Sequence, residues 1–195
     1  KTMNHLLMYS GPNAMFPPVQ NWENHFREGR GRSYGLEAEL SWSNDRISAS
    51  AYYTLSWSER YFEEMYPFWF FDHNDNRHKI NLVASYKLFD WMEINANWNY
   101  HTGNRITFPS NILGDGTMVY DEPNNLCLPD YPRLDLGLLF THKLKKGGSV
   151  ETNVSIYNAY NHKNAFFAFL TTDADGQVKG DAYSIIPIFP SVSVA

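Results

Sequence analysis

The chain has a single cysteine, Cys127, among its 195 residues. One thiol excludes an internal disulfide, and its polar surroundings hold no second thiol and no metal-ligand spacing, so Cys127 reads as an incidental loop residue. Long apolar runs are missing as well. A membrane helix needs roughly 18 consecutive apolar residues, and the longest stretch here, Ala165 to Leu170, falls far short. A helical span is therefore excluded, and any membrane role must be of the barrel type. Positive charge is scarce: the formal net charge is -5, and the short run Lys143, Lys145 and Lys146 sits in a turn, so nothing suits a nucleic-acid partner. Catalytic signatures are lacking too. There is no Gly-x-Ser-x-Gly elbow, P-loop or zinc-protease motif, and the chain is not read as an enzyme. No basic-then-apolar leader precedes the first segment, which starts at Lys1; the expectation is that a leader was removed or that the chain is a section of a longer one.

What the chain does have is aromatic residues, 13 Tyr, 13 Phe and 6 Trp, set in a recurring period of two. Such alternation puts apolar side chains on one face of a strand and polar ones on the other. From Tyr34 the apolar positions are Tyr34, Leu36, Ala38, Leu40 and Trp42, interleaved with Gly35, Glu37, Glu39 and Ser41. From Ile47 they are Ile47, Ala49, Ala51, Tyr53, Leu55 and Trp57, against Ser48, Ser50, Tyr52, Thr54, Ser56 and Ser58. The pattern repeats over Lys79 to Leu88, Met92 to His101, Arg133 to Thr141 and Val150 to Ile156, with a first strand over Thr2 to Tyr9 and a less regular last one over Tyr183 to Ala195. That makes about eight antiparallel strands and leaves little room for helices.

The connections alternate in length. Short ones at Ser43 to Arg46, Phe89 to Trp91 and Lys145 to Ser149 contrast with long ones near 10 to 32, 60 to 77, 103 to 131 and 162 to 181. Short turns at one rim and long loops at the other mark an outer-membrane barrel. Tyr34 and Trp42, Tyr53 and Trp57, and Trp98 and Tyr100 lie near strand ends, where amphipathic rings favour the headgroup level. On the second face Glu37, Glu39, Lys79, Lys87, Glu93, His101, Arg133, Asp135 and Glu151 would all point inward. A dry core could not hold so many charges, so the interior is expected to be wet or filled by another polar element. A soluble β-sandwich with an aromatic core is the alternative at this stage, although its strands are usually shorter.

Six segments carry a family resemblance. They are Gly29-Arg30-Gly31-Arg32-Ser33-Tyr34-Gly35-Leu36-Glu37, Tyr53-Thr54-Leu55-Ser56-Trp57-Ser58, Asp75-Asn76-Arg77-His78, Tyr100-His101-Thr102-Gly103-Asn104, Leu128-Pro129-Asp130-Tyr131-Pro132-Arg133-Leu134-Asp135 and Ser155-Ile156-Tyr157-Asn158-Ala159-Tyr160-Asn161-His162-Lys163-Asn164. In order and spacing they resemble TonB-dependent receptors, particularly the SusC-like receptors of gut and oral anaerobes. The resemblance implies a 22-stranded barrel enclosing a plug in a Gram-negative outer membrane. Residues 1–195 would be the C-terminal part of that barrel, without the plug or the N-terminal strands. It further implies active uptake of a glycan, a peptide or an iron chelate, a TonB complex engaged through an N-terminal region, contact with membrane lipid and a surface lipoprotein as a partner. No cofactor is implied. The end of the chain departs from the family pattern, because Pro187 to Ala195 stops before the usual C-terminal aromatic. A self-contained eight-stranded barrel, acting as an adhesin or small membrane enzyme, is the competing reading.

Local reasons accompany the motifs. Gly29, Gly31 and Gly35 permit backbone conformations that other residues resist, and Pro132 forces Tyr131 toward an extended conformation. Pro187 and Pro190 point to a bulge or a loose strand end. Two sets of residues are candidates for function. In the loop from Arg60 to His78 the aromatic residues Tyr66, Phe68, Trp69, Phe70 and Phe71 are candidates for stacking on substrate, the competing expectation being that they pack against neighbouring loops. On the polar face Glu37, Glu39, Arg133 and Asp135 are candidates for meeting the plug or lining the path. Asp72, His73, Asp75 and His78 match no closed metal site, and Asp173-Ala174-Asp175-Gly176 resembles the start of a calcium loop but lacks the later Glu, so a turn is expected there and no metal.

Overall fold

Strands form wherever alternation is clean, and no α-helix occurs among the described residues. The computed structural model describes residues 1–10, 21–115, 117–145, 147–172 and 178–195. The strands are β1 (Thr2–Tyr9), β2 (Phe26–Ser43), β3 (Ile47–Phe62), β4 (Tyr66–Phe71), β5 (His78–Phe89), β6 (Met92–His101), β7 (Arg105–Ile106), β8 (Asn111–Ile112), β9 (Met118–Val119), β10 (Leu126–Cys127), β11 (Tyr131–Lys143), β12 (Ser149–Tyr157), β13 (Ala165–Thr172), β14 (Val178–Ser184) and β15 (Phe189–Val194). A short 3-10 turn, Trp22–His25, precedes β2.

One sheet carries the order β1-β2-β3-β5-β6-β11-β12-β15, with β4 paired to β3. Its registered pairings are antiparallel. The order follows the chain, so the all-β antiparallel class expected from alternation is the class observed. β1 and β15 stand at the two ends of the order, and among the described residues no pairing joins them. Three further two-stranded pairs, β7 with β10, β8 with β9 and β13 with β14, are built from the long connections.

The chain divides into two units, one comprising Lys1–Gly35, Ser56–Asp75 and Asn104–Cys127, the other Leu36–Leu55, Asn76–Gly103 and Leu128–Ala195. In the second unit the register aligns like with like across the strands. Ala49 faces Ala84, which faces Ala96, then Leu136, Ile156 and Pro190. On the opposite face, Tyr52 faces Asn81, which faces Asn99 and then Arg133. A row of Ser48, Ser85, Asn95, Gly137, Ser155 and Ser191 runs parallel to it. Because side chains alternate with a period of two, a one-residue slip would exchange the two faces, and the coherence of these rows fixes the register.

The apolar face is not buried. Leu36, Leu40, Leu82, Tyr86, Ile94, Leu136, Val154, Ile156 and Val192 are all exposed, Leu40 to 73%. Among the described residues only Phe62, Phe70 and Leu128 are buried apolar side chains. A soluble sandwich would turn this face inward onto a second sheet; among the described residues these side chains stay exposed.

The structure extends beyond the alternation in several places, the short pairs β7–β10 and β8–β9 of the 103–131 connection among them. β2 starts at Phe26, eight residues ahead of Tyr34. The 60–77 connection contains β4, and the 162–181 connection contains most of the β13–β14 hairpin. The last strand is shorter than expected. Tyr183 belongs to β14 and pairs with Phe167, residues 185–188 are irregular, and β15 starts at Phe189. Pro187 lies in the break, where the Ile188 N–H donates to Asn161 Oδ1 at 3.0 Å instead of to a ladder. Pro190 lies within β15, opposite Ile156 of β12, and supplies no ladder donor there.

The glycines of β2 serve a different purpose from the one expected. Among the described residues, the positive-φ glycines are Gly147 and Gly148, both in the turn before β12. Gly29 is there for room: a Cβ would stand 2.4 Å from the Phe62 ring and 2.5 Å from the Tyr61 carbonyl oxygen.

Candidate functional site

The β3–β4 hairpin gathers the aromatic residues of the first unit. Glu59 pairs with Phe71, Arg60 with Phe70 and Phe62 with Tyr66. This puts Phe62, Tyr66 and Phe70 on one face, where Phe70 stacks on Phe62 at 6.2 Å and meets Tyr66 edge-on at 5.5 Å. Phe62 and Phe70 are 0% and 1% exposed. On the other face Trp69 lies against Tyr61 at 5.6 Å and carries the Arg32 guanidinium 4.2 Å above its ring. Phe71 carries the Arg105 guanidinium at 3.9 Å. Of the five aromatic candidates, then, Phe70 is enclosed and Trp69 and Phe71 are capped by arginines. Phe68, 42% exposed, and half-buried Tyr66 remain open to a ligand.

Phe70→Ala should accordingly cost about 3–5 kcal/mol of stability through the cavity it leaves. Phe68→Ala should stay within about 1 kcal/mol, as exposed substitutions do. Urea titration of the two variants measures the difference, and equal losses would show that the hairpin does not pack as described.

The carboxylates of this region are engaged. Asp72 Oδ2 accepts from Arg60 Nε at 2.5 Å. Asp75 Oδ1 accepts from the Ser58 N–H at 2.7 Å, and its Oδ2 faces Arg105 Nε at 3.5 Å. His73 Nδ1 lies 2.5 Å from the Arg105 carbonyl oxygen, while His78, in the second unit, meets the Tyr53 hydroxyl at 2.9 Å. Among the described residues no group of three or more His, Cys, Asp or Glu converges on a metal position. The segment Asp173 to Gly176, weighed for calcium, lies outside the described residues.

The second candidate set separates into two places on the polar face of the second unit. Glu37 and Glu39 are exposed on β2, where Glu39 Oε1 accepts from Ser41 Oγ at 3.3 Å. Arg133 and Asp135 lie on β11, four positions away in the strand order, which at the usual strand spacing is about 19 Å. They form one tight group. Arg133 Nε and Nη2 lie 3.1 and 3.0 Å from Asp135 Oδ2, a two-pronged contact that fixes the guanidinium plane. Nη1 donates to Tyr157 OH at 3.0 Å and Tyr131 OH at 3.3 Å, and the guanidinium lies 4.5 Å from the Tyr157 ring centre.

Asp135 Oδ1 accepts the Asn158 N–H at 3.0 Å. Asn158 is 0% exposed with φ 52°, a left-handed conformation that asparagine tolerates better than most residues. Its side chain accepts from the His162 N–H and donates to the His162 and Ile186 carbonyls. Tyr131, Tyr157 and Asn158 therefore complete a group of which sequence reading found only the charged pair. Chemically the group is a fixed cation beside phenols and a carboxylate. It can hold hydroxyls, amides or a polar protein surface, and it has no nucleophile–base pair.

No family model matches the chain, and neither a curated protein nor a solved structure matches it. The functional reading therefore stands on the geometry and the sequence motifs.

Proposed function

We propose that the chain is part of the wall of a TonB-dependent receptor in a Gram-negative outer membrane, a barrel that takes up a glycan, a peptide or an iron chelate. The observation that carries the membrane part of this reading is the uncovered apolar face, held in register from β3 to β15 and backed by a polar face of amides, hydroxyls and ions. In water such a face would be an aggregation hazard. In a bilayer it is what a barrel wall requires, with lipid on one side and a wet or plugged lumen on the other.

Dimensions support the reading. β5, β6 and β11 have 12, 10 and 13 residues, near the 9–11 that a tilted strand needs to cross the hydrocarbon core. Rings collect at both limits: Phe89, Trp91 and Phe140 stack at the short-turn end, at 5.3 and 6.2 Å, and Trp98 stacks on Tyr100 at the long-loop end at 5.9 Å. An open edge is not tolerated in lipid, so the two unpaired ends of the strand order favour a larger barrel over a closed eight-stranded one.

The TonB-dependent part rests on the six family-like segments. In this reading Arg133 and Asp135, with their tyrosines, face the plug or the path, as do Glu37 and Glu39. Phe68 and Tyr66 face substrate, and the external segments meet a surface lipoprotein. The natural protein extracted from outer membranes should have an intact mass several-fold above 22.6 kDa. A mass near that value would overturn the receptor and leave a small closed barrel, and absence from the membrane fraction would overturn both.

A further inference from the structure

We infer that the outward face of β2, just past the aromatic belt at its long-loop end, binds the phosphorylated sugar headgroup of an outer-leaflet glycolipid through Arg30. The inference rests on the membrane reading above and adds a ligand to it.

Side-chain alternation places Arg30 and Arg32 on the same face of β2 as Tyr34, which is exposed and stacks on Trp57 at 5.4 Å. Arg32 and Arg30 lie two and four residues beyond that stack, about 7 and 13 Å along a strand. With a barrel tilt near 40° this becomes roughly 5 and 10 Å of height. The headgroup layer is about 5–8 Å deep on each side of the core, so Arg32 lies within it and the Arg30 backbone just beyond it.

The two arginines are held differently. Arg32 is neutralised by Glu59, at 2.6 Å, and rests on Trp69. Arg30 is exposed, with its guanidinium 4.7 Å over the Tyr61 ring and 6.0 Å from that of Trp69, and among the described residues it has no carboxylate partner. A cation held flat on an aromatic ring keeps its outer N–H groups for a planar or tetrahedral anion.

The backbone beside Arg30 is irregular in a way that serves such a site. Between the pairs Met3–Gly31 and Leu6–Gly29, two residues of β1, Asn4 and His5, oppose the single Arg30. Bulges of this kind re-aim side chains. His5 sits at φ 57°, a conformation that costs a non-glycine residue about 1 kcal/mol or more and collects at functional sites. Asn4, His5, Glu28, Arg30, Tyr61 and Glu63 line an open depression of about 380 Å³, at the small end of ligand-site volumes. Glu28 is engaged by His5 Nδ1. The carboxylates suit the hydroxyls of a sugar, and Arg30 suits its phosphate; the two together fit a sugar phosphate better than a bare anion.

The test uses the full-length protein, delipidated in detergent and titrated with diphosphoryl lipid A or with its dephosphorylated form under native mass spectrometry. Wild type should hold the phosphorylated lipid about tenfold more tightly, the size of one charge-assisted contact. Arg30→Gln should abolish the preference, and Lys87→Gln, at the short-turn rim, should keep it. Retention of the preference by Arg30→Gln, or no preference in wild type, would overturn the site. Displacement by millimolar inorganic phosphate would show a free-anion site and overturn the lipid. Insertion of both proteins into phosphatidylcholine vesicles, resistant to urea extraction, separates these failures from failure of the membrane reading, which would remove the site with it.

Discussion

Leu136→Arg is expected to destabilise the protein in a bilayer by about 2–4 kcal/mol, the cost of a cation near the midplane of the lipid face proposed above. Leu136 lies near the middle of β11, in the row running from Ala49 to Pro190. It is 39% exposed, so nothing in the protein would clash with the longer side chain. The sign of the result is therefore informative. If water covered this face, the substitution would stay within about 0.5 kcal/mol, as surface changes do. Asn95→Arg, on the polar face of β6 and opposite Gly137, should cost less than about 1 kcal/mol, because the wet lumen of the proposed barrel would solvate the charge. Urea titration of refolding into vesicles measures both, and a small loss at Leu136 equal to that at Asn95 would reject the lipid-facing assignment.

Gly103→Ala is expected to lose at least about 3 kcal/mol, in the range of severe overpacking. Gly103 follows β6 and is buried; a Cβ there would stand 1.7 Å from the Leu128 carbonyl oxygen and 2.9 Å from that of Pro129. Both contacts are to backbone, so no rotamer change relieves them. The chain at Leu128 would have to move, and Leu128 is itself one of the few buried apolar side chains. The loss should appear as a lower urea midpoint and as faster proteolysis within 104–130. An unchanged midpoint would mean that the two segments are not packed together as described.

The strands of the main order were legible where apolar and polar side chains alternate along them. Where that contrast ends, so does the signal. Residues 26–33 read Phe-Arg-Glu-Gly-Arg-Gly-Arg-Ser, polar on both faces, and only the pairing with β1 reveals that β2 continues through them. β4 fails for the opposite reason. Its Tyr-Pro-Phe-Trp-Phe-Phe is aromatic almost throughout, since one face packs on Phe62 and the other lies beneath arginines, and a continuous aromatic run has no period to read. The charged pair Arg133 and Asp135 stood out against its alternating strand. Its partners did not, because Tyr131 and Tyr157 resemble girdle residues in sequence, and Asn158 is marked only by its φ.

The order of the main sheet repeats the order of the chain, so each of its strands meets its neighbour through a single connection. Two of those connections, from β6 to β11 and from β12 to β15, carry the small two-stranded pairs, and a third, from β3 to β5, carries β4. Lengthening such a connection costs little, roughly 0.6 kcal/mol for each doubling, while a slip of one residue in the sheet exchanges its two faces. The two parts of the chain thus tolerate change very unequally. Descendants of one such sheet could exchange the segments between its strands almost freely, while the two faces of the sheet stay in register.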